Sequence, residues 1–219
     1  MEDLKRKLKK ELDVFYAAVN AMLKTSNDER IKILIDPGHA KTRPGANTHD
    51  KRKYEHDYTP HMAHAIKIGL EDSGHFTVDV YDPEIDDLAG IGAKAKGYDL
   101  FLSIHLNAYD RDYEDEYTCV CVHKDVGKQD SYRFASGLAR EIANAIDNPL
   151  FRPSAVNPGV YPLNLSVLRA AEIGCDGPCV LSESFFIDAH DATSETYERC
   201  IEAAKAHVKY IARYFGVNG

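Results

Sequence analysis

The chain has 219 residues, 44% of them hydrophobic and 10% aromatic, so a buried core is available without disulfide or metal staples. A formal net charge of −8 argues against a bulk-basic nucleic-acid binder. No stretch approaches the ~20 apolar residues of a transmembrane segment, and the opening "MEDLKRKLKKEL" lacks the apolar centre of a secretory leader.

Residues 2 to about 24 place Leu4, Leu8, Leu12, Phe15, Val19, Met22 and Leu23 at three- and four-residue steps, which predicts an amphipathic helix. Lys5, Arg6, Lys7, Lys9 and Lys10 fall early on it. Such a helix suits packing on the following domain, self-association or contact with an anionic surface. "TSNDER" breaks the pattern, so the expected division is a helix and linker over 1–29 and a second domain over 30–219.

From residue 31 the pattern becomes strands alternating with helices. "IKILID" reads as a buried strand, followed by a polar loop with Pro44 and Gly45 that runs to about residue 54. "HDYTPHMAHAIKIGLEDSG" predicts a helix with Met62, Ile66 and Leu70 on one face and a stop at Gly74. "FTVDVYD" predicts a strand, "PEIDDLAGIGAKAKG" a weaker helix, "DLFLSIH" a continuous apolar strand ending at His105, and "YTCVCVHK" another strand. "QDSYRFASGLAREIANAID" carries Phe134, Leu138, Ile142 and Ile146 on one helical stripe. A loop is expected from Asn148 to Leu165, then a strand at "PCVLSESFF" and a closing helix from about Thr193 to Phe215. The fold class expected is α/β: a mostly parallel central sheet with helices on both faces, plus the extra N-terminal amphipathic helix.

Five cysteines, none in C-x-x-C spacing, read as buried thiols rather than a disulfide framework. Cys119 and Cys121 project to one face of a strand, and Cys175 and Cys179 flank "DGP" closely enough to meet across a turn.

Chemistry concentrates where apolar runs stop. "ILID" leads through Pro37-Gly38 to His39, "FLSI" leads to His105, and "CVLS" leads to Glu183. In open α/β sheets, ligands bind outside the carboxyl ends of the strands. Two imidazoles and a carboxylate suit zinc, which takes nitrogen and oxygen ligands at about 2 Å and keeps a position for water in catalytic sites. The candidate carboxylates after His39 are Asp50, Glu55 and Asp57, of which Glu55 sits just before the predicted helix, where the helix N-terminus favours an anion. With Glu55 in the metal set, Glu183 is left as a free carboxylate able to take a proton from water. His56, His61 and His64 fall on one helix and read as exposed surface. His49, His75, His123, His190 and His207 have no visible partner set, though His190 lies near enough to the last motif to line a groove. There is no Gly-x-Ser-x-Gly elbow and no phosphate-cradling glycine loop.

"ILIDPGHA", "YEHD", "DLFLSIHLNA" and "VLSESFFID", in that order from about Ile31 to the last helix, resemble the zinc-dependent N-acetylmuramoyl-L-alanine amidases, the amidase-3 family of cell-wall hydrolases. The "SESFF" form is similar to that of phage endolysin amidases. The resemblance implies zinc held by His39, Glu55 and His105, Glu183 as the catalytic glutamate, and peptidoglycan as substrate, cut between N-acetylmuramic acid and L-alanine. Asp36 and Asn107 are expected to orient the ligand loops through hydrogen bonds. The chain departs from the family at Ala40-Lys41, where glycine is usual, in "LAGIGAKAKGYD", which lacks the usual Arg and Ala-Asn pair, and at Ala189, where asparagine is usual. Two rivals stay open: a zinc hydrolase of a different amide, and a wall-binding or assembly module without catalysis. The expected setting is synthesis in the cytoplasm and action on the wall, either after phage-type release or as an autolysin whose leader has been trimmed.

Overall fold

In the computed structural model, residues 30–82, 87–109, 116–152 and 156–217 are described. The helix expected over residues 2 to 24, and the self-association ascribed to it, lie outside them.

Six strands form one sheet: β1 (Ile31–Asp36), β2 (Phe76–Val80), β3 (Leu100–Asn107), β4 (Cys119–His123), β5 (Val160–Leu163) and β6 (Cys179–Phe186). Their order across the sheet is β2-β1-β3-β6-β4-β5. β1 pairs with β3 and β3 with β6 in parallel, whereas β4 runs antiparallel to β6 and carries β5 parallel to itself. The sheet is thus mostly parallel, with a reversed β4–β5 edge. β3 is central, and Leu100, Phe101, Leu102 and Ile104 are fully buried. A strand covered on both faces needs this continuous apolar run in place of alternation.

Helices α1 (Thr59–Glu71), α3 (Gln129–Ala145) and α5 (Ser194–Tyr214) cover one face, and α2 (Leu88–Ala93) and α4 (Ser166–Gly174) the other. Cys200, Ala203, His207, Tyr210 and Ile211 give α5 a buried stripe at helical spacing, and the Thr193 side chain caps its start by accepting from the Thr196 N–H. All five cysteines are free and buried.

Three expectations are corrected. The segment from Asn148 to Leu165 is not all loop, because it contains β5, an edge strand that tolerates Pro162. Residues 166–174, left between the expected loop and the expected strand, form α4, whose buried Val167, Leu168 and Ala171 pack on the sheet. The helix expected from His56 instead opens with a separate 3-10 turn, Glu55–Asp57, and α1 begins only at Thr59.

Candidate metal centre

The turn after β1 is built to hold a histidine still. Gly38 has φ +48, and a Cβ there would stand 2.3 Å from the Ile104 carbonyl oxygen and 2.7 Å from the His105 ring, so only glycine fits. His39 also has a left-handed backbone, φ 61, a cost of order 1–2 kcal/mol for a side-chain-bearing residue. The Thr59 hydroxyl donates to the Gly38 carbonyl, pinning the turn to the start of α1. Ala40 and Arg43 then exchange backbone hydrogen bonds, and the loop folds back.

That return brings Glu55 against His39. The His39 Nε2 lies 3.0 Å from Glu55 Oε2, and the His105 Nδ1 lies 3.0 Å from Glu55 Oε1. Glu55 is 3% exposed, and its Oε1 also accepts from the Leu106 N–H. Gly45, φ +80, lies beneath the pair: a Cβ there would stand 2.7 Å from Glu55 Oε2 and 2.8 Å from the His39 ring. In the sequence Gly45 is one glycine of a polar loop. Its positive φ and this close approach become visible only once residues 39 and 55 are side by side.

His105 is not at a strand end, as expected, but inside β3, which continues to Asn107 with a register shift between the two. Glu183 likewise sits inside β6, directly opposite His105. The functional groups therefore ride on the carboxyl-terminal halves of rigid central strands.

The ligand atoms of His39, Glu55 and His105 all lie within 4.8 Å of one another. Among the described residues no other group of three histidine, cysteine or acidic side chains converges in this way. Donors bound to zinc at about 2.1 Å in a tetrahedron stand roughly 3.4 Å apart, so this mixed nitrogen and oxygen set fits such an ion once the side chains draw together by up to about 1 Å. Burial opposes charge on Glu55, but hydrogen bonds from His105 and His39 outweigh it and hold its pKa low. Burial likewise opposes charge on His39, and Glu55 more than reverses it, raising the His39 pKa.

Glu183 has the opposite character. Its Oε2 is sealed and has no hydrogen-bond partner. Burial first, then the negative charge of Glu55, push its pKa well above the usual carboxylate range. His39, His105, Glu183 and Asp36 line one cavity of about 510 Å³, within the usual size of a ligand site. A larger groove of about 890 Å³ between α1 and α5 holds none of these groups.

The other candidates fall elsewhere. Asp50 accepts from the Thr48 hydroxyl, Arg52 and the Ala192 N–H, and Asp57 accepts from the Tyr54 N–H. Asp36 accepts from the Ser103 hydroxyl, while its Oδ1 is buried without a partner. Asn107 bonds only locally, accepting from the Ala108 N–H. His190 pairs with Glu116 and is not in the cavity lining. His61 packs edge-on against Tyr197, and His64 Nδ1 meets the Pro60 carbonyl, so neither joins the metal set.

Residues 33–212 match the family Amidase_3, described as N-acetylmuramoyl-L-alanine amidase. No curated protein matches the chain significantly. Among solved structures, an N-acetylmuramoyl-L-alanine amidase from Clostridium difficile 630 is 20% identical, with a TM-score of 0.71 over 87% of this chain and 99% of that one. The CwlD amidase from Clostridioides difficile, solved in complex with the GerS lipoprotein, is 22% identical, with a TM-score of 0.68 over 86% of this chain and 100% of that one. The amidase Ami1 from Mycobacterium smegmatis is 18% identical, with a TM-score of 0.68 over 88% and 100%. At these identities the likeness speaks for a shared fold.

Proposed function

The chain belongs to the Amidase_3 family of N-acetylmuramoyl-L-alanine amidases, and from that premise we propose that it is a zinc-dependent hydrolase of peptidoglycan, cutting the amide between N-acetylmuramic acid and the L-alanine of the stem peptide. The observation that carries the reading is the convergence of His39, Glu55 and His105 on one point, with the unpartnered Glu183 carboxylate beside it.

In this reading His39, Glu55 and His105 hold the metal. Zinc bound there supplies Lewis acidity toward the scissile carbonyl and makes a water acidic at neutral pH. Glu183 handles the protons. Ionised beside a bound cation, Glu183 would take a proton from the attacking water on its accessible oxygen and return it to the departing alanine nitrogen. Asp36 and Ser103 brace β1 and β3, from which His39 and His105 project. Glu55, with Leu106 as its third donor, keeps both imidazoles facing inward.

The test is zinc content and peptidoglycan product analysis on wild type and Glu183→Ala together. The expected result is stoichiometric zinc in both proteins, and new L-alanine amino termini without new reducing sugars in the wild type alone. Normal digestion by Glu183→Ala overturns the assignment of roles. Free termini other than L-alanine favour a different amide, and zinc without lysis favours a binding module.

A further inference from the structure

We propose that Asn164, its side-chain amide set by the buried His123, grips the stem peptide at about its third residue, at the far end of the cavity from the metal centre. This rests on the amidase reading above.

His123 ends β4 and is 0% exposed. Its Nδ1 faces the backbone N–H groups of Asp125 at 3.2 Å and Val126 at 3.3 Å. Both groups can only donate, so Nδ1 accepts and the ring proton sits on Nε2. Nε2 lies 2.9 Å from Asn164 Oδ1, which therefore accepts from it. The same protonation rules out a hydrogen bond from Arg169 Nε, 3.4 Å away, because both nitrogens would donate. The Asn164 amide is thus turned with its oxygen toward His123. Its Nδ2 has no hydrogen-bond partner among the described residues. A fully buried histidine spent on orienting an exposed asparagine calls for a use of that asparagine.

Asn164 lines the same cavity as His39, His105 and Glu183. Cys119 of β4 stands opposite Glu183, and His123 lies four residues further along β4. At ~3.3 Å per residue, that is about 13 Å from the level of Glu183. An extended peptide covers the distance in three to four residues. The wall between is mostly aliphatic, made by Leu88, Ile91, Leu163, Leu165, Val167 and Leu181; Arg43 and Ser166 add polar groups to the lining, and its only aromatic rings are the imidazoles of His39 and His105. A mostly apolar channel that carries the Asn164 amide, with the Ser166 hydroxyl two residues on, suits a peptide carbonyl. A glycan would bury most of its hydroxyls there against aliphatic side chains. Asn164 is then a substrate-binding residue, and His123 a positioning residue acting through it.

The experiment compares zinc-loaded, full-length wild type, Asn164→Leu, His123→Phe and His123→Gln on two soluble substrates, N-acetylmuramoyl dipeptide and N-acetylmuramoyl tetrapeptide. Zinc content and thermal midpoint are measured alongside. Wild type should favour the tetrapeptide through KM. Asn164→Leu should lose about tenfold in kcat/KM on the tetrapeptide, through KM, and nothing on the dipeptide. His123→Phe should reproduce that pattern, and His123→Gln, which keeps an N–H near the Nε2 position, should restore the preference. Equal loss on both substrates, or no loss in Asn164→Leu, overturns the proposal. If wild type cleaves neither substrate, the amidase reading itself falls and takes this subsite with it.

Discussion

Two buried regions of this molecule treat histidine in opposite ways. At the carboxyl edge of the sheet, Glu55 is wedged between His39 and His105 and raises the His39 pKa against the effect of burial. At the interface between the sheet and α5, His207 is 0% exposed and meets only neutral groups. Its Nδ1 donates to the Ala203 carbonyl, leaving Nε2 to accept from the Ser182 hydroxyl. Burial there lowers its pKa to about 4. The difference lies in the partner. A buried histidine whose neighbours are neutral and complementary is finished structure, whereas a carboxylate between two histidines holds a negative charge that lets their neutral imidazole nitrogens receive a cation.

The comparison breaks most severely if the carboxylate is removed. Glu55→Gln keeps the shape and an oxygen for the Leu106 N–H but discards the charge. Zinc affinity should fall at least about 100-fold, with activity falling in parallel, read by competition with a chelator and by peptidoglycan release. Wild-type zinc affinity in this variant would mean that the carboxylate does not distinguish the two regions.

A smaller change sharpens the same point sterically. Gly45→Ala adds a methyl 2.7 Å from Glu55 Oε2 at a backbone φ of +80. Zinc affinity should weaken about tenfold while the far-UV spectrum is unchanged. Gly74→Ala, at φ +75 with nothing within 4 Å of the added methyl, separates backbone strain from the steric effect, and its zinc affinity should match wild type.

The third prediction concerns His207 and stability alone. Its folded pKa lies below the unfolded value near 6.5, so the unfolded chain takes up the proton first. The contribution of neutral His207 is complete above about pH 6.5 and is lost as pH falls toward 4. The stability difference between wild type and His207→Leu, from urea denaturation, should therefore shift by about 2–3 kcal/mol against wild type between pH 7 and pH 4.5. A constant difference would show that His207 titrates normally in the fold.

The apolar strands at Ile31–Asp36, Leu100–Asn107 and Cys179–Phe186 were legible because a strand covered on both faces must be continuously hydrophobic. The stripes of α3 and α5 were legible for the same kind of reason, a helical period repeated over several turns. α4 escaped notice because its nine residues complete too few turns to show a period, and β5 because Pro162 and a four-residue length read as loop. In both cases tertiary packing, not local pattern, makes the element.

At the candidate metal centre the chain itself determined the residue types: His39 after Pro37-Gly38, His105 and Glu183 within apolar runs, and a choice of carboxylates at 50, 55 and 57. Local spacing alone left that choice open, because it depends on where a loop returns. Only the tertiary structure carries Glu55 beneath the Leu106 N–H, sets Gly45 under it, and sends Asp50 and Asp57 to other partners. The physical reason is that convergence on a point is a property of backbones far apart in sequence, whereas hydrophobic periodicity is written within one segment.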